Sequence, residues 1–298
     1  MSLLSAGLAT RRCASVCALL GLVALAPSAA LGWGDAGHRI VARGAEPYLS
    51  STARRRVEDL LGASACGGRG TLGDAMACAA TWADRAREDS HRQTYNWHFV
   101  DISLGTATYD ARRDCRPRNR ATKGTCVVDG LDHVVGVLRG ARSDPTITRA
   151  QALMFVIHLV ADLHQPLHTV RQDVGGNFTY VRYFDARANL HQVWDTRLLQ
   201  TAMRRQDPSE RSYARRLGGQ IAVEGLATWQ RGGPVAWVEE AHRAAVDDAY
   251  GALAMSPKTR DGYPSLGDAY VARCEPIVER QLARAAARLA KVLNAALG

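Results

Sequence analysis

Between Leu153 and His168 the chain runs through an almost wholly apolar stretch, broken by His158, Asp162, His164, Gln165 and His168. Thr146 or Thr148 can cap a helix over 149–164, in which Leu153, Ile157 and Val160 recur at helical spacing. Pro166 then ends or bends it. His158 and Asp162 stand four residues apart and so project from one face. With Leu153, Met154, Phe155, Val156 and Ile157 before them, that face is buried, and an uncompensated carboxylate there is costly. A bound cation removes the cost; so does a hydrogen-bonding neighbour.

The same spacing returns at His191 and Asp195, in a stretch that can also be helical. Imidazole and carboxylate are zinc's preferred ligands after thiolate, and two such pairs facing one gap could hold two ions. Of the nine histidines, His164 is expected to pair with a backbone carbonyl, and His91, His133 and His242 to serve surface or capping roles.

Arg11 and Arg12 precede an apolar run to Ala26, then Pro27 and Ala30-Leu31-Gly32. This reads as an export signal over 1–32, too short to span a bilayer comfortably, cut after Gly32 to leave Trp33 first. Export to the periplasm or the medium makes disulfides possible: Cys115 with Cys126 is preferred, then Cys66 with Cys78, leaving Cys274 over. The net charge of +9 is almost all arginine, which suits polyanionic partners or simply keeps the surface soluble. Further helices are expected from an opening at Ser50-Ser51-Thr52 to Gly62, over 234–255 and over 270–297, and one strand over 178–184 in a small hairpin. No linker or repeat divides the 298 residues, so residues 33–298 form one mainly α domain.

Taken together, the 155–168 segment, Trp33-Gly34-Asp35-Ala36-Gly37-His38, Trp82-Ala83-Asp84, Trp97-His98-Phe99, Gly175-Gly176-Asn177 and 189–195 resemble the zinc-dependent single-strand-specific nucleases. Those enzymes share a helical fold with the zinc-dependent phospholipases C. The resemblance implies three zinc ions. Asp84, His98, His158 and Asp162 would hold one, and His168, His191 and Asp195 a second. Trp33, through its α-amine and carbonyl, would hold the third with His38, Asp162 bridging. An α-amine loses its proton near neutral pH, so cleavage before Trp33 would create a ligand.

The reaction implied is hydrolysis of single-stranded DNA and RNA to 5′-phosphates, with 3′-nucleotidase activity; the sequence leaves the oligomeric state open, with a monomer preferred, and no stable membrane association is expected. Asp101 is a candidate for orienting water or a solvated carboxylate, and Arg87 a phosphate contact or an ordinary exposed arginine. Phe99 would stack on a base or pack beneath the site, and Asn177 would bind substrate or brace its turn. A phospholipase C and a non-catalytic zinc-binding protein remain alternatives. The former places glutamate where this chain has Asp195.

Overall fold

The computed structural model describes residues 33–62, 64, 66–68, 70–206 and 208–298; the proposed export signal over 1–32 lies outside them. The expected mainly helical domain is found. Its centre is the Arg149–Asp162 helix, in which every residue from Ala152 to Asp162 is buried. Thr148 is the cap: its hydroxyl accepts from Gln151 N–H while the Gln151 side chain accepts from Thr148 N–H. The helix stops at Asp162, two residues before the expected end. The chain then enters a short 3-10 turn, Pro166–Thr169.

Around this axis pack Asp35–Ala45, Leu72–Ala79 and Val127–Arg139, with the 30-residue Asp268–Leu297 helix lying across them. That last helix buries Val278, Leu282, Leu289 and Leu293, so its apolar stripe is core, as its spacing implies. The long helix expected over 234–255 forms as Pro234–Ala244 and Gly251–Ala254, joined by a wider π segment, Ala245–Tyr250. The buried apolar residues make one continuous cluster.

The expected hairpin is present but shorter, and it belongs to a three-stranded sheet in the order β2-β1-β3. β1 is Tyr180–Tyr183, β2 is Ala186–Asn189 and β3 is Ser265–Leu266. β1 pairs antiparallel with β2 and parallel with β3. Phe184 and Asp185, both at positive φ (47° and 66°), make the two-residue turn. Both expected disulfides form, Cys66–Cys78 and Cys115–Cys126, and Cys274 stays unpaired within the core. Among the described residues no helix is long and apolar enough to cross a membrane.

Candidate metal centre

One carboxylate organises the site. Asp162, fully buried, faces four imidazoles: its Oδ1 lies 3.2 Å from His38 Nε2 and 3.3 Å from His168 Nδ1. Its Oδ2 lies 2.9 Å from both His98 Nδ1 and His158 Nε2. The four rings come from separate stretches. His38 sits on the Asp35–Ala45 helix, His98 ends the 3-10 helix Arg92–His98, and His168 follows the Pro166 bend. Asp84, in the first turn of Trp82–Glu88, adds an oxygen 3.5 Å from His98 and 3.6 Å from His158.

A second group adjoins it. His191 Nε2 lies 3.1 Å from Asp195 Oδ2, and His168 Nε2 lies 3.8 Å from Asp195 Oδ1. His191 is in the Leu190–Gln192 helix and Asp195 in the π segment Val193–Arg197, a form of helix frequent at functional sites. At the third corner, His38 Nδ1 meets the carbonyl of Trp33, whose side chain is buried. Gly34 N–H donates to the Asp195 carbonyl at 2.9 Å, tying the Trp33 segment to the second group. Ligand atoms of these residues fall within coordinating reach in three sets: Asp84, His98 and His158; His168, His191 and Asp195; and His38, His158 and Asp162.

The donor set fits metal. His158 Nδ1 donates to Ala80 O at 2.6 Å and His191 Nδ1 to Gly175 O at 2.7 Å, leaving each Nε2 as a lone pair aimed inward. Asp84 Oδ1, Asp195 Oδ2 and His191 Nε2 are buried without a hydrogen-bond partner, which is rare for such atoms unless something else occupies them. The electrostatics agree. Burial disfavours charge on His158, yet Asp162 and Asp84 outweigh it and hold the imidazole up at about 9. Burial and the Arg87 charge push the neighbouring His98 down to about 4. Despite burial, the imidazoles hold Asp162 well below the ordinary carboxylate range. The carboxylates that draw positive charge onto His158 would attract a cation in the same place.

Around this cluster, Arg87 is not the exposed arginine of the alternative reading. It is 5% exposed, 3.5 Å from Asp84 and over the Tyr95 ring at 5.3 Å, with Nε making no hydrogen bond and lying 3.6 Å from Glu88 Oε1. Asp101 lies in the segment whose Val100 N–H donates to His168 O at 2.8 Å. Burial raises its pKa, and its charged neighbours are Arg171 and Asp114 rather than the imidazoles. Phe99 is half-buried, edge-on to Tyr95 at 6.4 Å. Asn177 donates through Nδ2 to Val174 O at 2.8 Å, bracing its own turn.

The other histidines divide. His164 Nδ1 bonds Val160 O at 2.7 Å, as expected, and its Nε2 meets Arg288 at 3.0 Å. His133 Nε2 pairs with Asp144 at 2.8 Å. His91 and His242 are buried, not superficial, because each bridges to a carbonyl of another segment: Thr146 O at 3.1 Å and Thr169 O at 3.0 Å. Gln165 was missed by sequence reasoning. Its Nε2 donates to Asp195 Oδ1 and its Oε1 accepts from Leu167 N–H. A buried amide within a ligand-bearing run was the available signal.

The S1/P1 Nuclease family model matches residues 33–298. Among characterised proteins the chain is 30% identical to Endonuclease 4 of Arabidopsis thaliana, covering 89% of each chain. It is 29% identical to Endonuclease 2 of the same plant, over 90% of this chain and 91% of that one. It is 28% identical to Nuclease P1 of Penicillium citrinum, over 88% and 97% respectively. These matches decide for a nuclease over a phospholipase C or a passive zinc binder: the chain belongs to the S1/P1 nuclease family and is an enzyme that hydrolyses phosphodiester bonds of nucleic acid.

Proposed function

We propose that this chain is an exported, zinc-dependent endonuclease that cleaves single-stranded DNA and RNA to 5′-phosphate products, with 3′-nucleotidase activity. The observation that carries the reading is the Asp162 carboxylate surrounded by four imidazoles from distant segments. Asp84, His98, His158 and Asp162 would hold one ion, and His168, His191 and Asp195 a second. Trp33 and His38, sharing Asp162, would hold a third. Zinc held there would supply Lewis acidity at the phosphoryl group and would acidify water at neutral pH.

The protein's own part is orientation and charge. His158 and His191 are held in one tautomer by Ala80 and Gly175 carbonyls, so both rings keep a fixed aim. Arg87, whose Nε makes no hydrogen bond, is the candidate to meet a phosphate oxygen, against which a guanidinium is well matched. Asp101, its acidity weakened by burial, is the candidate to orient water, and Phe99 to stack on a base. Because the ligands are 0–5% exposed, a phosphate must descend to reach them. A flexible strand can do this and a stiff duplex cannot.

Metal analysis and N-terminal sequencing of the exported protein test this reading, followed by hydrolysis of matched single- and double-stranded oligonucleotides with and without chelator. Three zinc ions, Trp33 first and chelator-sensitive single-strand cleavage are expected. Equal rates on both substrates would remove the strand preference, and activity indifferent to chelator would remove the metal mechanism.

A further inference from the structure

The hairpin beside the second histidine group carries an outward face that core packing does not explain. Tyr180 is 56% exposed and Phe178, two residues before it, is 63% exposed, whereas Val181 and Tyr183 are buried. Alternation along β1 puts Arg182 on the same side as Tyr180. Across the antiparallel ladder Arg182 stands opposite Arg187 and Tyr180 opposite Asn189. Like charges directly opposed in a sheet repel. Asp261 pairs with Arg182, and Asp185 contributes only its carbonyl, 3.5 Å from the same guanidinium. The Arg187 side chain is exposed, and its carbonyl accepts at 3.2 Å from Arg197, whose guanidinium lies 6.0 Å from the ring centre of the buried Tyr183 and is not part of this face.

The segment that bears this face is tied to the metal centre. Gly175 O orients His191, Leu190 N–H donates to Thr179 O at 2.9 Å, and Thr179 Oγ1 bonds Asp173 at 2.8 Å. These bonds hold the segment of Phe178 and Tyr180 beside the one that carries His191.

We propose that Phe178 and Tyr180 form a stacking platform, with Arg182 and Arg187 as phosphate contacts, for unpaired nucleotides flanking the bond that is cut. This rests on the nuclease reading. Exposed rings interleaved with arginines match a single strand, whose bases present open faces and whose backbone carries the complementary charge. A duplex presents the phosphates without the faces. A second copy of this chain would have to bring its own excess positive charge, +9 over the whole sequence, against these arginines.

The test compares zinc-loaded wild type with Phe178→Ala, Tyr180→Ala, the double variant and Arg187→Gln, each checked by thermal unfolding. The first readout is the ratio of kcat/KM on a single-stranded octanucleotide to that on a 3′-mononucleotide. The second is affinity for a hydrolysis-resistant phosphorodithioate hexanucleotide carrying 2-aminopurine, whose fluorescence is quenched on stacking. The double variant should lower both the ratio and the affinity by about tenfold or more and abolish the quenching. Arg187→Gln should weaken binding and flatten its salt dependence. Unchanged ratio and affinity would overturn the platform, as would equal losses on both substrates. So would a wild-type dimer that the double variant splits while strand affinity holds. A protein that cleaves nothing yet quenches the probe, and stops doing so in the variants, would keep the platform and sink the nuclease reading.

Discussion

Asp162 and His38 are 124 residues apart in sequence, yet Asp162 Oδ1 lies 3.2 Å from His38 Nε2. No local feature of either helix accounts for the contact; it exists because Asp35–Ala45 packs on Arg149–Asp162. Replacing Asp162 with alanine removes the one carboxylate common to four imidazoles. Metal content should fall, and nuclease rate should drop well beyond the roughly 10–100-fold typical of losing an outer partner. Mass-spectrometric metal counting beside a rate assay checks both.

The Trp33 end makes a separate prediction. A protein that retains Gly32 has an amide in place of the free amine before Trp33, and an amide nitrogen is a poor ligand. It should bind one metal fewer than the chain that starts at Trp33, with the His168, His191 and Asp195 group still loaded. Stoichiometry of the two forms, purified side by side, is the measurement.

Gln165 bonds Asp195 through its amide N–H and Leu167 through its carbonyl. Gln165→Glu keeps the second bond and turns the first into repulsion. Metal affinity, measured by competition with a coloured chelator, should weaken by about 10–100-fold. An unchanged affinity would mean that Asp195 needs no such partner.

Two glycines should respond oppositely to alanine. Gly175 has φ +62°, and a Cβ there would lie 2.6 Å from Leu167 O and 3.2 Å from His191 Nδ1. Gly175→Ala should cost about 1–2 kcal/mol in backbone strain alone and disturb the ring that Gly175 O orients. Gly219, inside the Glu210–Glu224 helix, has nothing within 4 Å of a built Cβ. Gly219→Ala should stabilise by about 0.5–1 kcal/mol. Denaturant midpoints of the two variants decide.

Burial lowers the pKa of His242 below its ordinary 6.5. A depressed value means the folded state favours the neutral ring, so the stability it contributes is present above about pH 6.5 and lost as pH falls toward the depressed value. Between pH 7 and 5 the wild type should therefore lose more stability than His242→Gln. Parallel acid shifts in both proteins would contradict this, since the metal-centre histidines are common to them.

Much of the centre was legible because its chemistry is local. His158 with Asp162, and His191 with Asp195, sit four apart, and the apolar company of the first pair already marks a burial cost. Trp33 and His38 were legible only through resemblance, since nothing in a short N-terminal run says which distant carboxylate it meets. What stayed hidden depends on tertiary placement. The burial of Arg87 and His242 comes from neighbours on other elements. So does the partnership of Gln165 with Asp195, and β3 is two residues long, too short to leave a period.

The two disulfides join cysteines that follow one another along the chain, Cys66 with Cys78 and then Cys115 with Cys126, while Cys274 comes last. In the export proposed above, the thiols would reach an oxidising compartment in that order. Linking each newcomer to its unpaired predecessor yields the native connectivity without any isomerase to correct errors. The leftover sulfur, on a helix that hides it, then has no mate among the described cysteines.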